Sequence, residues 1–247
     1  MKIEDYLKSL PQEIISGEDV ELPTNSLRDI FRFAELSEKD VFYHLGCGTG
    51  QGLEIAIKEF NVRKAVGIDT NKEKILQAEK RVDCDLFCQD ITESDISDAT
   101  VILFWFTDEA IIEKMMKKFV SLNNCRIITI WSPLPECLPE KVQFPYIINQ
   151  TPFKKTTDLQ EQLLAIFGVK CVDFVTAWEF AERYTKAISG PESENDRFLT
   201  IIQSLVIWIN AKNLGVACGD EIPESIKTYI GILRNFFNIE IEHLLKK

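Results

Sequence analysis

Histidine is scarce in this chain: two residues, His44 and His243, among 247. Seven cysteines are present (Cys47, Cys84, Cys88, Cys125, Cys137, Cys171 and Cys218), but no CxxC pair. Their odd number and scattered spacing argue against a disulfide framework, and with so little histidine they argue against a zinc site. No metal is expected. Long apolar runs are also missing. The most apolar stretch, "FLTIIQSLVIWI" (198–209), contains Thr, Gln and Ser and is well short of the roughly 20 residues that span a bilayer. The stretch "MKIEDYLKSLPQEI" lacks the apolar centre of a signal peptide, so a cytoplasmic location without a membrane partner is the expectation. Positive charge is in deficit: 28 Lys and Arg stand against 39 Asp and Glu, a net charge of −11. Such a surface repels phosphate backbones, and no Lys/Arg-rich stripe offsets it, so nucleic acid is not an expected partner.

What is present reads as a globular α/β chain, with 45% apolar and 27% charged residues. "NSLRDIFRFAEL" has helical spacing, with a cap offered at Thr24 or Asn25. Then strands and helices alternate: "DVFYHL", "LEIAIKEF", "KAVGID", "NKEKILQAEKRV", "CDLFCQDI", "TVILFWF", "DEAIIEKMMKKFVSL" and "CRIITIW". Short links between them imply βαβ units and a parallel sheet covered on both faces. "YIINQTPF" and "QLLAIFGV" read as a further antiparallel pair at the sheet edge. From about Cys171 the pattern turns helical, through "VDFVTAWEFAERYTKAI", the loop "SGPESEND", a helix "RFLTIIQSLVIWINAKNLG" that is apolar nearly all round, and "IKTYIGILRNFFNIEIEHLLKK" after Pro223. The expected domains are 1–170 and a helical extension, 171–247. That extension has three open roles: covering an acceptor site, pairing two subunits, or packing beneath the sheet.

The chemistry concentrates in "VFYHLGCGTGQG" (41–52). Gly46, Gly48 and Gly50 alternate, and Gly52 follows. Bare backbone between a strand and a helix lets N–H groups approach a ligand closely, beside the crevice where strand order reverses in an open parallel sheet. An ordinary turn at this junction needs one or two glycines. The next strand ends in Asp69, 19 residues after Gly50, where a carboxylate can accept hydrogen bonds from a ribose diol. The third ends near Asp90, 21 residues on, where an acid can accept from an adenine amino group. Each acid taken alone could equally cap a helix or sit in a turn. The spacing GxGxGxG differs from the GxGxxG of dinucleotide folds, and no hydride-transfer set stands out.

"LGCGTG", "VGIDT" and "CQDI", in this order, resemble the first motifs of the seven-stranded class of S-adenosylmethionine-dependent methyltransferases. The segments "ELPTNSLRDIFRFAELSEKDVFYHLGCGTGQGLEIAIKEFNVRKAVGID" and "SDATVILFWFTDEAIIEKMMKKF" resemble the archaeal protein-lysine methyltransferases, over about residues 20–168. The resemblance implies a doubly wound, seven-stranded Rossmann-like sheet with S-adenosylmethionine as cofactor. Gly46, Cys47, Gly48, Thr49 and Gly50 would surround its methionine half. Asp69 would take the ribose hydroxyls with Thr70 beside it, Asp90 and Ile91 would frame the adenine, and Thr24 would close over the site. Phe104, Trp105, Phe106 and Thr107, after the fourth strand, would line the way in for a methyl acceptor, a protein lysine or a small molecule. Packing within the core is the plainer reading for at least two of the three rings. His44 departs from the family, which usually carries Asp or Glu there near the cofactor's cationic amino group. The lost charge pairing would cost about 1–3 kcal/mol. A binding module with a weakened cofactor site is therefore the competing expectation. The "N/D-P-P-Y/F" signature of adenine and glutamine methyltransferases is missing.

Overall fold

In a computed structural model of the chain, the structure describes residues 1, 2, 5, 21–189, 196–219 and 221–245. Most of the N-terminal stretch, and residues 190–195 of the expected loop, lie outside these. Contacts divide the chain into two compact units, Asp19–Thr157 and a second made of Met1–Glu18 with Asp158–Lys247. The change of pattern at residue 171 falls inside the second unit, after the helix Leu159–Phe167.

The first unit opens with helix α1 (Thr24–Phe33). It then alternates β1 (Val41–Leu45), α2 (Gln51–Phe60), β2 (Lys64–Asp69), α3 (Lys72–Arg81), β3 (Asp85–Cys88), β4 (Val101–Phe104), α4 (Glu109–Phe119) and β5 (Arg126–Ile130). The short β6 (Cys137–Leu138) follows, then β7 (Lys141–Gln143), β8 (Tyr146–Gln150) and β9 (Lys154–Lys155). Seven strands form one sheet in the order β3-β2-β1-β4-β5-β8-β7, while β6 pairs with β9. β3 to β5 run parallel, and β8 is antiparallel to both β5 and β7. β1 therefore has β2 on one side and β4 on the other, which makes its carboxyl end the point where strand order reverses.

Strand alternation sends the side chains of β1 two ways. Val41, Tyr43 and Leu45 join a buried cluster with Ile102, Phe104, Met115, Phe119 and Ile127. Phe42 and His44 point the other way. The Phe42 ring meets Phe31 of α1 edge-on at 5.1 Å, and His44 lies against Gly52 of α2. At the opposite end of the strands Asp40 ties three of them together. It accepts hydrogen bonds from Arg126 at the start of β5, from the Thr100 hydroxyl before β4 and from the amide and hydroxyl of Ser37.

The second unit holds α5 (Leu159–Phe167), α6 (Phe174–Ser189), α7 (Asp196–Asn213), α8 (Glu224–Phe237) and a 3₁₀ turn (Glu242–Leu245). Trp208 of α7 is fully buried, as an all-round apolar helix should be when central. α6 and α7 share a polar contact inside this packing, where the Thr185 hydroxyl bonds the Ala181 carbonyl and Gln203.

Four expectations are corrected. Residues 159–167 form a helix rather than a strand, because the Asp158 carboxylate caps the amides of Gln160 and Glu161 and Gly168 ends the helix with φ +63°. α1 starts one turn position early, at Thr24, with Pro23 as its cap residue and no side-chain cap. The last helix stops at Phe237, where Asn238 takes the left-handed conformation. Two of the seven cysteines are paired, in a Cys171–Cys218 disulfide beside the Val172–Ala217 backbone bridge, while the other five form no disulfide. Among the described residues no helix is long and apolar enough to cross a membrane.

Candidate functional site

β1 runs into the glycine loop, whose geometry the neighbouring strand fixes. The amides of Gly46 and Cys47 both donate to the Ile68 carbonyl of β2, at 2.8 and 3.0 Å. One residue further on, Asp69 ends β2. Its carboxylate accepts from the Gly48 amide at 2.9 Å and from the Asn71 amide at 2.8 Å. Loop and acid are thus a single hydrogen-bonded construction at the carboxyl ends of β1 and β2. Asn71 then caps α3 by accepting from Glu73 and Lys74, so the acid stands directly before a helix start.

The glycines are required for different reasons. A Cβ on Gly46 would sit 3.1 Å from the Phe106 ring, and one on Gly48 would sit 2.7 Å from Glu21 Oε1. A Cβ on Gly50 would lie 2.8 Å from Ala78 Cβ, so that residue serves the packing of α2 on α3. At Gly52 the neighbour is His44 Nδ1, 2.7 Å from the place of a Cβ. Gly48 also has a φ of +54°, where L side chains are strained.

Cys47 contributes only its backbone. Its side chain is buried against Gly67 of β2, and burial pushes its thiol up to about 12. His44 is enclosed too. Among the described residues its Nδ1 has no hydrogen-bond partner, and burial pushes its pKa down to about 4 against the weaker upward pull of Asp69 and Glu21. It is neutral at pH 7.

A strap before α1 crosses this loop. Glu21 accepts from the Thr49 amide at 2.7 Å and the Thr49 hydroxyl at 2.9 Å, while Thr24 accepts from the Gln51 side-chain amide. Leu22 between them is buried. Thr24, Thr49, Gly48, Asp69 and His44 all lie on this loop and the segments bonded or packed to it. Glu21 joins them and was not foreseen. It is one carboxylate among many in an acidic segment, and no spacing marks it.

The other candidates are placed less uniformly. Thr70 is exposed at the end of β2. Asp90 is exposed, and its carboxylate accepts from the Thr92 amide in a local turn, which holds it below the usual carboxylate range. Ile91 is buried within the core cluster. Phe104 is buried there as well, stacked on Phe106 at 5.0 Å and edge-on to Phe119 at 5.2 Å. Trp105 and Phe106 are half-buried and Thr107 is exposed at the carboxyl end of β4. Core packing therefore claims Phe104 outright and Phe106 in part.

Sheet order, loop and acid define a Rossmann-like methyltransferase fold. An RNA methyltransferase from Salinibacter ruber, solved with S-adenosyl-L-homocysteine, matches with a TM-score of 0.51 and 21% identity, over 57% of this chain and 99% of that one. No family model matches the chain. In sequence, 106 residues are 34% identical to a protein-lysine N-methyltransferase of Saccharolobus islandicus, covering 40% of this chain. The chain spans 64% of the length of that relative.

Proposed function

We propose that residues 19–157 bind S-adenosylmethionine and move its methyl group to an amine, the side chain of lysine in a basic protein. The observation that carries this is the bond from the Gly48 amide to Asp69, which fixes the glycine loop beside a ribose-type acceptor at the strand-order reversal. The similarity to the Saccharolobus protein-lysine enzyme supports the choice of acceptor, and the net charge of −11 favours a cationic partner over RNA.

The residues present fit such a cofactor. Asp69 has lone pairs to spare for a ribose diol, the loop presents bare backbone rather than side chains, and His44 has a buried nitrogen without a partner. The cofactor's sulfonium, when bound, supplies a methyl group on a good leaving group. The chain's task is then to position and to dry the site. Asp69 and the loop orient, with Thr70, Asp90 and Ile91 toward the adenosine end. Trp105 and Phe106 shield the acceptor side, where a low dielectric also favours the neutral form of an attacking amine. A second reading, a binding module that has given up catalysis, is favoured by His44 alone.

Calorimetric titration with S-adenosylhomocysteine and with NAD separates the readings, and transfer of labelled methyl into a cell extract identifies the acceptor. Micromolar binding of the homocysteine compound with no binding of NAD is the expected result. Asp69→Ala should weaken that binding at least tenfold, and unchanged affinity would remove the site assignment.

A further inference from the structure

The deficit at position 44 has a counterpart on the strap. A carboxylate placed at residue 44 would lie on the strand that runs into the glycine loop. The strand instead offers a neutral imidazole turned toward Gly52. Glu21 reaches the same loop from the segment before α1. Its two oxygens take the amide and hydroxyl of Thr49, at 2.7 and 2.9 Å, and its Oε1 lies 2.7 Å from where a Gly48 Cβ would be. The absence of a side chain at Gly48 is what admits it. Its negative charge is felt at His44, so the two positions share one electrostatic neighbourhood. Three features hold Glu21 there: buried Leu22, Pro23 with its fixed φ, and the bond from Gln51 to Thr24.

We infer that Glu21 supplies the carboxylate that pairs with the α-ammonium group of the bound cofactor, replacing the acid absent from position 44. This rests on the proposed cofactor site and adds to it a residue outside the strand–loop motif. A carboxylate that accepts two hydrogen bonds from Thr49 keeps further lone pairs for an ammonium, and the charge-assisted bond it would form is stronger than any the neutral imidazole can offer. The arrangement also makes the first strap, and not only the glycine loop, part of what selects an amino-acid-bearing nucleoside over a plain one.

Two ligands and one variant test this. S-adenosylhomocysteine and its desamino analogue differ only in the ammonium group, and Glu21→Gln keeps the size and one oxygen to accept from the Thr49 amide, with its NH2 able to donate to the Thr49 hydroxyl, while removing the charge. Wild type should bind the homocysteine compound at least tenfold more tightly than the desamino compound. Glu21→Gln should lose most of that preference, through weaker binding of the former with the latter unchanged. Glu21 is exposed, so thermal melting of the variant should match wild type. Equal preference in variant and wild type would overturn the assignment and leave the cofactor site standing. Tighter binding of both ligands by the variant would overturn it too, marking Glu21 as an occluding side chain. Failure of wild type to bind either ligand would remove the cofactor reading itself.

Discussion

At position 44 an imidazole stands with its Nδ1 sealed beside Gly52, and burial pushes its pKa down to about 4. The consequence is a pH dependence of stability. Between about 4 and the ordinary 6.5, the unfolded chain binds a proton at His44 that the folded chain refuses. The contribution is fully present above pH 6.5 and is lost as pH falls toward 4, by about 3 kcal/mol in total. In His44→Asn this part of the dependence should vanish. Urea midpoints taken at pH 7 and pH 4.5 check it: the wild-type midpoint should fall more between the two than the variant's. The same residue shows what a motif letter leaves out: its Nδ1 lies 2.7 Å from where a Gly52 Cβ would be, a close fit to a helix glycine that no spacing rule announces.

At the level of elements, the Asp40 cluster binds β1, β4 and β5 at the end of the sheet away from the loop. Burial works against ionisation of Asp40. Arg126, Thr100 and Ser37 outweigh it and hold the carboxyl below its ordinary range. Asp40 is 7% and Arg126 24% exposed as side chains, so removing one partner leaves the other poorly hydrated. Asp40→Ala should cost about 3 kcal/mol, read as a lower denaturation midpoint at pH 7. The difference should shrink in acid, as Asp40 takes up a proton in wild type. This cluster was invisible in the sequence, since its members are separated by 60 and 86 positions. The parallel core was legible, because strands buried on both faces such as "VILF" are apolar throughout. So were the glycine loop and Asp69, where local spacing and chemistry coincide. The misread segment 159–167 failed for a local reason: its cap, Asp158, and its stop, Gly168, outweigh an ambiguous apolar pattern. The pairing of Cys171 with Cys218 was hidden for a non-local one, since the backbone bonds of Val172 to the 216–218 segment bring them together across the chain.

Across the whole molecule two features set how the chain should behave in solution. The disulfide closes a loop with a sequence separation of 47, and loop-closure entropy alone gives it about 4 kcal/mol of stabilisation. A Cys171→Ala/Cys218→Ala double variant, or wild type under reductant, should therefore exchange the amides of α6 to α8 faster, and should melt identically with and without reductant only in the double variant. The second feature is charge. Residues 1–168 carry 19 basic and 28 acidic side chains, leaving −9, against −2 for the remainder. The half that bears the cofactor motifs is thus also the half that attracts cations at long range. Such attraction is screened over about 10 Å at 0.1 M salt. A lysine-rich protein acceptor should accordingly show a KM that rises several-fold when salt is raised from about 50 to about 300 mM, with kcat little changed. A short peptide with a single lysine and no other charge, gathered by contact rather than by the field, should show almost none of this rise. If both acceptors respond alike, or if KM for the basic protein is flat, the acidic surface serves solubility, and recognition must lie in short-range contacts at Trp105, Phe106 and Thr107.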